Sequence, residues 1–130
     1  MPIKLRDPDA IVEYVWSKDP AISDESDVDG YLETGDVSKL KAKDGDKLTI
    51  WKLKRLPIPL QEKVCALMYA DNRDPVQAFR DKQEAFREAV AAGVVGCSEF
   101  DVSDPARFYD LSLFSELTGQ ILKLATVDPL

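Results

Sequence analysis

Lys47-Leu48-Thr49-Ile50-Trp51-Lys52-Leu53-Lys54-Arg55-Leu56 runs directly into Pro57-Ile58-Pro59, and the class of fold turns on how this run is read. With the period of two that a strand imposes, Thr49, Trp51 and Leu53 share one face. The other face mixes Leu48 and Ile50 with Lys52 and Lys54. That mixture predicts a strand near a sheet edge, where lysine discourages stray pairing. Proline lacks the N–H that a ladder needs, so Pro57 and Pro59 end the strand. Pro59 also suits the first turn of a helix. A helix is therefore expected over 59–70, with Leu60, Val64, Leu67 and Met68 at helical spacing.

Downstream the texture is helical. Asp71-Asn72-Arg73-Asp74-Pro75 reads as a turn in which Asp74 is an N-cap and Pro75 the first helical residue. The helix that follows is expected over 75–92. Val76, Phe79, Phe86 and Val90 form its stripe, and Arg80, Asp81, Lys82, Glu84, Arg87 and Glu88 form its charged side. Gly93 reads as the C-terminal stop. Val94-Val95-Gly96-Cys97 with Glu99-Phe100 reads as a short apolar link, Ser103-Asp104-Pro105 as a helix entry and Arg107–Asp110 as a single turn. A last helix is expected over 111–125, striped by Leu113, Phe114, Leu117, Ile121, Leu122 and Leu124 and interrupted by Gly119.

Upstream the chain is irregular and acidic. Asp7-Pro8 and Asp19-Pro20 are turn signals, because the residue before a proline avoids the helical region. Between them, Ala10–Trp16 is β-branched and aromatic and reads as one strand. Residues 17–30 read as a polar loop, with short helical turns over Val28–Leu32 and Val37–Leu40. The expected architecture is α+β. It is a single, mainly helical domain over 1–130, with a small sheet from its N-terminal half. An acidic irregular segment (1–46) precedes strand plus helices (47–130).

The chain has 130 residues, 45% hydrophobic and 32% charged, an ordinary globular balance. It contains no histidine, which excludes a Ser-His-Asp triad, a Cys-His pair and a His-ligated metal. Its two cysteines, Cys65 and Cys97, lie outside any C-x-x-C pair. They are too few for the four ligands of a structural zinc and read as reduced thiols. No apolar run approaches the ~20 residues that span a bilayer, and the start lacks the apolar stretch of a signal peptide. The net charge is −7. Residues 1–46 carry 6 bases and 12 acids, residues 47–95 carry 9 and 6, and residues 96–130 carry 2 and 6. A phosphate-neutralising surface needs the opposite sign, so nucleic acid is not an expected partner.

Three patterns bear on chemistry. Glu25–Asp36 can be laid on a twelve-residue EF-hand loop, with Glu25, Asp27, Asp29, Glu33 and Asp36 as oxygen ligands and Gly30 at the sharp turn. It departs from that motif in having Glu at the first position, the shorter Asp at the last, and no entering helix. Acid pairs such as Asp27/Asp29 sit in a polar segment with nothing to separate their pKa values, so acid–base catalysis is not expected. The lysines of 47–55 read as solvent- or partner-facing beside an apolar core face. No cofactor, catalytic residue or enzymatic activity is expected. The amphipathic stripes read as core, and binding another protein is the role that remains.

The layout from about residue 45 onward resembles the small tail assembly chaperones of long-tailed bacteriophages. The resemblance lies in the strand Gly45-Asp46-Lys47-Leu48-Thr49-Ile50-Trp51-Lys52-Leu53-Lys54-Arg55-Leu56-Pro57 and in a charged helix ending Ala89-Val90-Ala91-Ala92-Gly93-Val94-Val95. It extends to a closing helix containing Glu116-Leu117 and Ile121-Leu122-Lys123-Leu124. It implies a non-enzymatic protein of the host cytoplasm that binds the tape-measure protein and recruits tail-tube subunits during virion assembly. A groove contact with a partner helix would then use Trp51, Phe79, Phe86, Phe114 and Leu117. A minor virion protein at the head–tail joint, an unrelated protein-binding or regulatory domain, and a calcium-binding module are the other readings. A homo-oligomer is left open among the partners.

Overall fold

The computed structural model describes residues 3–4, 10–70, 74–99, 101–103, 108–124 and 128–129. In chain order these give β1 (Ile3–Lys4), β2 (Ile11–Tyr14), α1 (Ser26–Thr34), a 3₁₀ turn (Val37–Lys39), β3 (Trp51–Lys54), α2 (Ile58–Met68), α3 (Pro75–Gly93), β4 (Val94–Cys97), α4 (Leu111–Lys123) and β5 (Asp128–Pro129). The class is α+β, as expected. The turns expected at Asp7-Pro8 and Asp71–Arg73, and the helix entry at Asp104-Pro105, lie outside the described residues.

The main sheet is antiparallel in the order β2-β3-β4, and β1 pairs with β5 as a separate ribbon. Tyr14 faces Trp51 and Val12 faces Leu53 across the β2–β3 ladder, so these four side chains share the inner face. Trp51 and Leu53 are almost fully buried. Glu13 lies opposite Lys52 on the outer face. The expectation of an edge strand is corrected, because β3 is the central strand. Val94–Cys97, read from sequence as a link, is the strand that covers its second edge. Lysine is tolerated there because the outer face of the sheet meets water. The Lys52 stem lies along Gly96, where an added Cβ would sit 3.3 Å from Lys52 Cδ. Lys52 opposes Gly96 while Leu53 opposes Val94, so Val95 is an extra, bulged residue.

The helices stand where their stripes place them, although α3 buries its stripe only from its middle onward, at Phe86 and Val90, and leaves Val76 and Phe79 largely exposed. α3 begins on Asp74, whose side chain accepts from Val76 N–H, and α4 begins on Asp110, which accepts from Leu113 N–H. α3 packs against both α2 and α4. Gly93 is not a left-handed stop. It is the last residue of α3, and among the described residues positive φ occurs only at Gly35 and Gly45. Its smallness is what matters, since a Cβ would lie 2.7 Å from Ile121 Cδ1 and 2.8 Å from Ile121 Cγ2. Ala89 and Ala85, one and two turns earlier, are also fully buried.

The acidic segment is more ordered than its sequence suggests. Part of the expected loop is helix α1, which ends at Gly35 in the left-handed region with Gly35 N–H bonded to Tyr31 O. Tyr31 anchors α1 in the core, and its hydroxyl accepts from Val15 N–H at 2.8 Å. An Ile22–Ala42 bridge, flanked by Ser23 N–H to Lys41 O and Lys43 N–H to Ala21 O, closes this excursion at its base.

Candidate functional site

The turn leaving β2 is held on two sides. Ser17 donates from both its N–H (2.8 Å) and its hydroxyl to the Glu116 carboxylate of α4, which also accepts from Tyr14 Oη at 2.7 Å. Lys18 Nζ reaches Ser112 Oγ one turn earlier on α4. On the other side, the buried Asp19 accepts from Ala21 N–H (2.9 Å) and from Thr49 N–H (3.0 Å). Burial and the Glu116 carboxylate push the Tyr14 phenol far above its ordinary value. Burial also raises the Tyr31 phenol. Hydrogen bonds to a charged acceptor contribute about 1.5–3 kcal/mol each, so this cluster fixes where the Trp16–Pro20 turn stands.

A pocket of about 360 Å³ opens beside that turn. Trp16 and Tyr109 line it as partly exposed residues, together with the buried Trp51 and Phe108. Asp19 and Asp110 also line it. The aromatic rings form a continuous array: Trp51 to Phe108 is 5.2 Å between centroids, Phe108 to Phe114 5.7 Å, and Tyr109 to Phe114 4.9 Å edge-on. A concave, mostly apolar site of this volume, with four aromatic residues and a few fixed polar groups, suits one anchoring side chain or a small organic group. On the far side of the turn lies a more polar cleft of about 460 Å³ that shares Asp19 and Pro20.

The residues singled out as partner contacts fall in different places. Trp51 lines the pocket, and Phe114 supports its rings from behind. Phe86, Phe114 and Leu117 are buried in the core and offer a partner no surface in this fold. Phe79 is 50% exposed, beside Val76 at 60%, on the first turns of α3, and does not line the pocket. Sequence reasoning missed Trp16 and Tyr109, because neither lies on a periodic stripe. The signal that could have found them is two aromatics, each two residues from an element end and close to a helix or turn aspartate.

The proposed calcium loop is not formed as a loop. Asp27, Asp29 and Glu33 lie on α1, Glu25 precedes it, and Asp36 caps the 3₁₀ turn by accepting from Ser38 N–H and Oγ. Those bonds hold the Asp36 carboxyl below the ordinary range. A helix turns its side chains by about 100° per residue, which spreads ligands that an EF-hand loop would converge. Among the described residues no group of three or more carboxylates or thiols is placed to hold a metal ion. Among the same residues, no helix is long and apolar enough to cross a membrane. No family profile, curated protein or solved structure matches the chain.

Proposed function

We propose that this protein is a non-enzymatic binding module that holds another polypeptide through the pocket between the β2 exit turn and the start of α4. The observation that carries this reading is the pocket itself. It joins an aromatic lining that reaches solvent through Tyr109 and the half-buried Trp16 with a wall pinned by Glu116, Ser112 and Thr49. A pre-organised site loses little ordering entropy on binding. The nearby polar groups already serve structural hydrogen bonds that hold them in place. Glu116 accepts three hydrogen bonds, Asp19 two, and Asp110 caps α4.

The resemblance over residues 45–130 supplies the particular form of this role: a tail assembly chaperone of the host cytoplasm that binds the tape-measure protein and recruits tail-tube subunits. The test is titration of the purified chain with the tape-measure and tail-tube proteins encoded beside it, read by tryptophan fluorescence. Saturable binding that is lost in a folded Tyr109→Ser variant is the expected result. A gene neighbourhood without those two proteins overturns the phage form. Binding that is unchanged in folded Tyr109→Ser and Trp16→Ala variants overturns the pocket as the contact.

A further inference from the structure

The pocket has a chemical preference built into its lining. Four aromatic residues contribute to it, and an aromatic face carries negative electrostatic potential that attracts a cation. Asp19 and Asp110 add two carboxylates. Each already accepts from backbone N–H groups, but an ionised carboxylate has about four acceptor positions, so both retain capacity for a further donor. The turn that holds Asp19 cannot easily withdraw, because Ser17, Lys18 and Asp19 are each tied to α4 or to the approach to β3. The neighbouring cleft continues the same charge: Asp19, Glu25 and Asp29 line it against Lys18 and Lys43. The whole chain carries −7 and residues 1–46 carry 6 bases against 12 acids, so the field around this face draws cations in.

We propose that this pocket receives the cationic end of a lysine or arginine side chain carried by a basic segment of the partner polypeptide. The inference rests on the binding role proposed above and names what the site selects. The aliphatic stem of the incoming residue packs on Tyr109 and Trp16, and its charged head lies over the aromatic faces within reach of Asp19 and Asp110. A guanidinium suits the site because it stacks on rings and donates to carboxylates with the same planar group.

Both tryptophans of the chain, Trp16 and Trp51, line this one pocket, so their indole N–H signals report on it directly. The experiment titrates the ¹⁵N-labelled full-length chain with four blocked alanine peptides. Each carries one central arginine, citrulline, lysine or norleucine. The charged peptides should move the indole signals and bind at least about five-fold more tightly than their neutral partners. Asn is as good an N-cap as Asp, so Asp110→Asn keeps α4 capped while removing the charge. It should weaken the charged peptides about three- to ten-fold and leave the neutral ones unchanged. Equal binding of citrulline and arginine overturns the cation preference and leaves the binding role standing. Indole signals that ignore all four peptides but respond to a natural partner do the same. If no peptide and no partner moves them, both readings fall. Shifts that depend on protein concentration alone assign the pocket to a second copy of the chain and overturn the proposal.

Discussion

Thr118 is fully buried in α4, and its hydroxyl has no hydrogen-bond partner among the described residues. An orphaned buried polar group costs about 1–3 kcal/mol. Thr118→Val keeps the β-branched shape and removes the orphan. It should therefore stabilise the fold by roughly 1 kcal/mol, seen as a rise of a few degrees in the thermal midpoint. An unchanged or lower midpoint would mean that the hydroxyl is satisfied. Glu116 is the opposite case at the same scale. Its oxygens serve donors from Tyr14 and Ser17, which lie 102 and 99 residues away in sequence. Glu116→Ala leaves the Tyr14 hydroxyl and the Ser17 N–H without their acceptor, and roughly 2–4 kcal/mol of stability should be lost in a denaturant titration.

At the scale of elements, the contact between α3 and α4 depends on the absence of a side chain at Gly93. Gly93→Ala forces a Cβ against three side-chain atoms of Ile121, which is itself fully buried and so has little room to shift. Despite alanine's better helix propensity, the substitution should destabilise by about 1–3 kcal/mol. Combined with Ile121→Ala, the total loss should be smaller than the two losses added, because each change makes room for the other. Additive losses would place the strain elsewhere.

The same elements show what a sequence makes legible. α3 and α4 were readable because a long stripe and a capping aspartate agree on each. α1 was readable only as the turn over Val28–Leu32 and not at its full length, because its burial rests on Tyr31, while Leu32 is 48% exposed and Gly30 interrupts it. β4 was hidden by length, since four residues with one bulged show no alternation. Val76 and Phe79 keep the period of the α3 stripe, yet the start of that helix leaves them largely exposed, because periodicity alone does not say where a helix leaves the core. The pocket was the least legible feature. Its lining is gathered from residues 16–20, 49–51 and 108–113 by tertiary contacts that no local pattern encodes.

For the whole molecule, Tyr14 and Tyr31 couple stability to alkaline pH. Both phenols are raised in the folded chain, by burial first and by the Glu116 charge as well, with Tyr14 also hydrogen-bonded to that carboxylate. A raised folded value means that the unfolded chain releases these protons first. Their contribution is complete below the ordinary phenol range near pH 10 and is lost as pH rises beyond it. Unfolding free energy should fall by up to about 1.4 kcal/mol per pH unit for each tyrosine that stays protonated in the native state. Tyr14→Phe should make that decline shallower. A decline of the same steepness in Tyr14→Phe would show that this phenol is not coupled to folding.

The central position of β3 sets an order of events during synthesis. Its partners are β2, which ends 37 residues before it begins, and β4, which begins 40 residues after it ends. A nascent chain that has emerged only as far as α3 carries Trp51 and Leu53 on a strand whose second margin is bare, a template for pairing with a neighbouring nascent chain. Arrest of translation at a length where α3 has cleared the exit tunnel but Val94 has not should therefore yield ribosome-bound chains that stick to one another. Arrest far enough downstream for Cys97 to clear the exit tunnel should yield chains that do not.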